Sequence, residues 1–202
     1  MCIRDRFHIS PNVKEREYLT EDELKAVMTH EFADSKLAYI RDIFIFASFT
    51  ALSFVDIQEL TNDNIVEVNG EKWILSKRHK TKVAFQVKLL DIPLQIVERY
   101  RPMQKDNRIF PGLNYWSICK PLKRMIRECG ITKSISFHCS RHGFATLALS
   151  KGMPIESVSR VLGHTNIVTT QLYAKITTQK LDNDLTMFGD KLSKTFNGIT
   201  MS

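Results

Sequence analysis

Between residues 34 and 50 the chain carries the run that most restricts how it can fold. Ile43, Phe44, Ile45, Phe46, Ala47 and Phe49 leave almost no polar face at helical spacing. A helix that is apolar on all sides has to be enclosed by other elements. Asp34 or Ser35 supplies its start, and Arg41 and Asp42 are the polar exceptions near that start. A chain of 202 residues buries one substantial core, so the run predicts a single domain assembled around this helix.

Local signals place the remaining elements. Thr20-Glu21-Asp22-Glu23 is a capping box that opens a short helix reaching about Thr29. The core helix gives way at Thr50-Ala51-Leu52-Ser53, and Asp56 is expected to cap a short helix through Leu60. Residues 65–68 and 72–76 flank Asn69-Gly70, the strongest short-range hairpin signal, and a third strand over 83–90 follows a tip at Arg78-His79-Lys80-Thr81. Pro93 suits the first turn of a helix to about Met103. Lys120-Pro121 is expected to open another helix, closed by Gly130. Residues 131–137 read as extended and deliver the chain to His138. Helices then run to about Ser150, from Pro154 to Gly163, and through a last piece carrying Tyr173. Beyond it Leu181, Leu185, Phe188 and Leu192 recur at helical spacing, most simply a face packed on the domain's own core. The fold class is α+β, mainly α-helical with a small three-stranded antiparallel sheet. Residues 1–17 lack periodicity and read as linker or expression-derived sequence, leaving 18–202 as the domain.

Charge narrows the partner. The net charge is +7 and the isoelectric point about 9.3, which suits a polyanion. Lys72, Lys77, Arg78, Lys80, Lys82 and Lys88 occur with no acidic residue between the first and the last, and Lys120, Lys123, Arg124 and Arg127 form a second cluster. Either cluster alone would be an ordinary solvated face. With His138, Arg141, His164 and Tyr173 downstream, residue types suited to a phosphate, contact with the DNA backbone is the better account, through Lys77, Arg78, Lys82, Lys120, Lys123 and Arg124. No apolar run is long enough to span a bilayer and no signal-peptide pattern opens the chain, so a soluble, cytoplasmic protein is expected. Cys2, Cys119, Cys129 and Cys139 show no paired spacing, which argues against a disulfide framework and a zinc ribbon. No Gly-rich phosphate loop or two-metal carboxylate pattern is present, and neither a cofactor nor a metal is expected.

The chemistry concentrates between Phe137 and Tyr173. His138 and Arg141 are three apart and share one helix face; His164 follows a glycine, and Tyr173 lies nine residues further on. Arginine offers a planar fork of donors for phosphate, histidine moves protons, and a tyrosine oxygen is a nucleophile. Each residue alone would more often pack or cap. As an ordered set they suit attack on a phosphodiester.

His138-x-x-Arg141-His142, Leu162-Gly163-His164 and Tyr173 resemble the C-terminal signature of the tyrosine recombinases, the integrases of phages and conjugative transposons, with further similarity from about Tyr18-Leu19-Thr20 to Lys175. The resemblance implies the DNA breaking-rejoining catalytic fold. It also implies site-specific recombination in which Tyr173 attacks a DNA phosphate to form a 3′-phosphotyrosine bond. Arg141, His138 and His164 would bind the phosphate, the two histidines also assisting proton transfer. Lys80, matching the family's Lys-Thr motif, would protonate the leaving 5′-oxygen. Double-stranded DNA would be the partner, with a homo-tetramer on DNA in the full-length protein and the segment after the tyrosine docking either in cis or in trans.

Two departures stand out. The family usually carries Thr-Gly-Leu-Arg with an acidic residue three places later; here Thr50-Ala51-Leu52-Ser53 precedes Asp56, so Ser53 replaces the first catalytic arginine. Arg41 and Arg78 are the candidates to compensate; the alternative is that the reaction tolerates the loss, as the resemblance of this box to serine-bearing integrases of conjugative elements implies. An N-terminal DNA-binding domain, usual in the family, is also expected to be missing. The rival readings are a catalytically decayed DNA-binding homologue, a type IB topoisomerase, and a basic helical adaptor without DNA function.

Overall fold

A computed structural model describes residues 17–104, 106–173 and 178–197; the expected leader, residues 1–16, lies outside the described residues. The chain runs α1 (Glu21–Thr29), α2 (Ser35–Thr50), α3 (Phe54–Gln58), β1 (Ile65–Val68), β2 (Glu71–Lys77), β3 (Ala84–Lys88), α4 (Asp91–Tyr100), α5 (Tyr115–Glu128), α6 (Cys139–Ser150), α7 (Ile155–Leu162), α8 (Val168–Gln171) and α9 (Thr178–Thr195).

Helix α2 occupies the centre, with α1, α4, α5 and α6 packed around it. Ile40, Ile43, Phe44, Ile45, Phe46 and Ala47 are all buried, as an all-round apolar helix requires. Its polar exception is satisfied internally. The buried Asp42 carboxylate accepts from Arg41 Nε at 2.9 Å, Arg99 Nη1 at 2.7 Å and the Tyr100 hydroxyl at 2.8 Å. Ala51 ends the helix in the left-handed conformation at φ 56° and packs against Ala145 and Leu149 of α6 and Val158 and Leu162 of α7.

The sheet order is β1-β2-β3, all antiparallel, with Ile65 opposite Ile74 and Ile74 opposite Val87. Asn69 and Gly70 both take positive φ at the first turn, as the hairpin signal requires. The second turn spans residues 79–82; the Lys82 amide donates to the Arg78 carbonyl at 2.9 Å and the Arg78 amide to the Val83 carbonyl at 2.8 Å. Lys82 therefore sits at φ 57°.

Three expectations are corrected. Helix α3 is capped by Ser53, whose hydroxyl accepts from the Asp56 amide, while Asp56 closes a capping box from the N3 position. Helix α5 starts at Tyr115 rather than at Lys120, because Asn114 caps it by accepting from the Trp116 amide at 2.9 Å; Pro121 lies inside. The apolar stripe on α9 is not packed on the core. Leu185, Phe188 and Leu192 are 58%, 57% and 39% exposed; the Leu181 side chain lies outside the described residues.

Candidate active site

The site forms where the end of α2, the start of α3, the β2–β3 turn, α6 and the α7–α8 region meet. Arg141, on the first turn of α6, donates from Nη1 to the Ala51 carbonyl at 2.6 Å and from Nη2 to the Leu162 carbonyl. Those carbonyls belong to the C-terminal ends of α2 and α7, whose last carbonyls lack helical partners. The guanidinium is thus held at two helix ends by two backbone carbonyls, which residues of any type would provide. Burial, and then the charge of Arg78, push its pKa down to about 10, with Asp56 and Tyr173 opposing. It stays cationic at neutral pH.

Arg78 is the second cation of the site. Although it lies next to an exposed turn, it is buried, and its ring-stacked guanidinium lies 4.0 Å from the Phe85 centroid. Nη1 donates to Asp56 Oδ2 at 2.8 Å and Nη2 to the Val161 carbonyl at 2.5 Å. Asp56 also accepts from the His79 amide at 2.9 Å and the Ser53 hydroxyl at 2.8 Å. Burial raises the Asp56 carboxyl, but the His79, Arg78 and Ser53 hydrogen bonds outweigh it and hold the pKa below the ordinary carboxylate value. Gly163 closes the wall behind Arg78. A Cβ there would stand 2.9 Å from Arg78 Nε and 3.0 Å from Cγ.

Three histidines complete the site. His138, immediately before α6, meets His142 edge-on with ring centroids 4.4 Å apart. His164 Nδ1 shares a 2.8 Å hydrogen bond with Thr170 Oγ1; burial, then the charges of Arg141, Arg78 and His138, push its pKa down to about 4. It is neutral near pH 7. Tyr173 follows α8, and its hydroxyl shares a 2.6 Å hydrogen bond with His142 Nδ1. Thr170 and Tyr173, three residues apart, therefore carry the His164 and His142 contacts respectively.

The sequence-selected residues fall into two groups. Arg141, His138, His164 and Tyr173 are brought together, and Arg78 joins them. Arg41 is held elsewhere, by Asp42 and the His30 carbonyl at 2.8 Å. Lys80 stands exposed on the β2–β3 turn, which is tied down at its neighbour: His79 donates its amide to Asp56 and pairs through Nδ1 with Glu59. Lys77, Lys82, Lys120, Lys123 and Arg124 are exposed, whereas the buried Arg78 is removed from the set available for backbone contact. Arg124 is engaged by Glu128 at 2.8 Å and Asp34 at 3.2 Å.

Two features had no role in the sequence reading. His142 is in sequence only a letter of the His138-x-x-Arg141-His142 motif, and nothing in its spacing points to Tyr173. Trp116, 84% exposed, shares with Lys120, Lys123 and Arg127 the outward face of α5, the inward one being Ile118, Leu122, Met125 and Ile126. Its neighbour Tyr115 stacks edge-on with Phe54, the residue after Ser53, at 5.5 Å. Among the described residues, no group of three or more His, Cys, Asp or Glu side chains is placed to hold a metal ion, and no helix is long and apolar enough to cross a membrane.

A core helix wrapped by helices, a three-stranded sheet at one side and an arginine–histidine–tyrosine site between them constitute the tyrosine recombinase catalytic fold. The chain belongs to the phage integrase family, which matches residues 17–180. It is 32% identical over 177 residues to the tyrosine recombinase XerA of Pyrococcus horikoshii, covering 81% of this chain and 58% of that protein. Among solved structures, the Tn1549 transposon integrase in complex with a circular intermediate DNA matches with a TM-score of 0.73 at 16% identity, covering 89% of this chain and 68% of that one. The crystal structure of XerA recombinase matches with a TM-score of 0.68 at 19% identity, covering 89% and 66%. The chain thus spans a little under three-fifths of the length of the archaeal relative.

Proposed function

We propose that the chain cleaves and rejoins DNA strands site-specifically through a 3′-phosphotyrosine intermediate. The observation that carries this reading is the gathering of Arg141, His164 and the Tyr173 hydroxyl, from separate segments, beside a second buried arginine. Tyr173 is the nucleophile. Arg141 stabilises charge on the pentacoordinate phosphorus, with His138 and the neutral His164 hydrogen-bonding the non-bridging oxygens; loss of one such donor typically costs about a hundredfold to a thousandfold in rate. Lys80 protonates the leaving 5′-oxygen. The tyrosyl ester conserves the energy of the phosphodiester, so rejoining needs no cofactor.

Arg78 supplies the charge that Ser53 lacks. Its guanidinium is paired to the acidic residue of the same segment, Asp56, and acts electrostatically on Arg141 and His164. Arg41, held by Asp42, does not serve. Alanine replacement of each arginine in a cleavage assay separates them: Arg78→Ala lowers the rate at least a hundredfold and Arg41→Ala by no more than a few fold. Equal, small effects refute the compensation.

Duplex DNA is bound along Lys77, Lys82, Lys120, Lys123 and Arg127, with Trp116 packing against it beside the site. The exposed α9 stripe supports docking onto a neighbouring protomer in a tetramer on DNA, within the cytoplasm. Truncation after Ile176 should abolish that self-association in a dilution series by light scattering, and unchanged association refutes it. The decisive experiment for the reaction is trapping on a nicked DNA substrate. A protease-sensitive 3′ adduct forms with the chain and not with Tyr173→Phe. If DNA binds but no adduct forms even after an N-terminal DNA-clamping domain is joined to the chain, the protein is a decayed, DNA-binding homologue, the reading that Ser53 favours.

A further inference from the structure

His142 lies at the heart of the site with nothing in the reaction outlined above assigned to it. It is 3% exposed and one helical turn beyond His138, whose ring abuts it edge-on. Its Nδ1 is 2.6 Å from the one oxygen that has to lose a proton. A phenol with an ordinary pKa of about 10 is almost wholly protonated at neutral pH, so attack on phosphorus needs an acceptor at hydrogen-bond distance as the bond forms. His164, another histidine of the signature, has its Nδ1 on Thr170.

We infer that His142 is the general base for Tyr173, and therefore a catalytic residue, on the reading that Tyr173 is the nucleophile. In cleavage the Tyr173 Oη–H proton passes to His142 Nδ1 as the Oη–P bond forms and the P–O5′ bond breaks, while Lys80 gives its proton to the 5′-oxygen. His142 starts with its proton on Nε2 and ends as the imidazolium. In rejoining the 5′-hydroxyl attacks, passing its proton to the now neutral Lys80 amine as the P–O5′ bond forms, the P–Oη bond breaks, and His142 returns its proton to Tyr173. One histidine therefore serves both directions, as base and then as acid.

The test uses the same nicked substrate and measures both adduct formation and religation. His142→Asn keeps a polar atom near the Nδ1 position without a base and is expected to slow both steps by about a hundredfold or more, with DNA affinity and melting temperature held close to those of the parent chain. A substrate carrying sulfur at the bridging 5′ position leaves without needing a proton. It should rescue Lys80→Ala and leave His142→Asn slow. His142→Gln, a longer neutral amide, serves as the second variant, so that one folded variant decides. A rate within about threefold of the parent, or rescue of the histidine variant by the sulfur substrate, overturns the assignment. Loss of the adduct with Tyr173→Phe shows in the same experiment that the nucleophile reading stands independently.

Discussion

Removing the Asp56 carboxylate should be among the most damaging single changes in this domain. Its side chain is 4% exposed and that of Arg78 6% exposed, at an N–O distance of 2.8 Å. Asp56→Ala leaves Arg78 buried without its counter-charge and also deprives the His79 amide and the Ser53 hydroxyl of their acceptor. Breaking one side of a buried pair costs about 3–5 kcal/mol, because the remaining charge stays desolvated. For a domain of this size each kcal/mol moves the melting temperature by about 2–4 °C, so a fall of roughly 6–20 °C is expected. Arg78→Met should cost less, since Asp56 keeps the His79 and Ser53 hydrogen bonds. The double variant Asp56→Ala, Arg78→Met should be more stable than Asp56→Ala alone, because it removes the orphaned guanidinium. Urea unfolding of the four chains gives the coupling energy directly, and at least about 2 kcal/mol is expected for groups in contact. Additivity within about 0.5 kcal/mol, or a double variant no more stable than Asp56→Ala, refutes the claim that this pair is one structural unit.

Three other outcomes follow from the same geometry. Gly163→Ala drives a methyl group into Arg78, which Asp56 and Val161 hold in place; a loss of about 1–3 kcal/mol is expected by thermal melting, with cleavage falling because Arg78 is displaced. Lys82→Gly relieves a left-handed backbone at an exposed turn and should raise stability by about 0.5–1 kcal/mol in urea titrations, whatever it does to DNA affinity. His164 has a folded-state pKa near 4, below its ordinary 6.5, so folding favours its neutral form. That contribution is complete above pH 6.5 and is lost as pH falls towards 4. His164 is partly exposed, so roughly 1 kcal/mol is at stake, and His164→Gln should lose less stability by about that amount between pH 6.5 and 4.

Most of the secondary structure was legible from local chemistry. Thr20 and Glu23 form the capping box that their spacing announces, Asn69-Gly70 turns the hairpin, and Gly163 ends α7 at φ 62°. These are short-range signals, decided by side chains that satisfy backbone groups within a few residues. The Lys120-Pro121 signal misplaces the start of α5, because proline is most at home in a first turn whereas Asn114 caps this helix. A proline beyond the first turn is tolerated where tertiary packing outweighs one lost hydrogen bond, and here Leu122, Met125 and Ile126 are buried around it. The exposed stripe on α9 shows the converse. Periodicity reveals that a helix has an apolar face, without revealing what covers it.

By itself the sequence determined the family resemblance, the central helix and the set of chemically capable residues, because each depends on residue type and spacing along the chain. The tertiary structure alone decided which of two spare arginines enters the site. Arg41 and Arg78 are equal as letters, yet a buried guanidinium needs a counter-charge and acceptors; Asp42 claims the first away from the site, while Asp56 and the Val161 carbonyl claim the second within it. It also gave Gly163 a second duty, as the wall against Arg78. Finally, it joined His142 to Tyr173 across 31 positions, a contact between side chains brought together by the packing of α6 and the chain that follows α8, which no spacing along the sequence encodes.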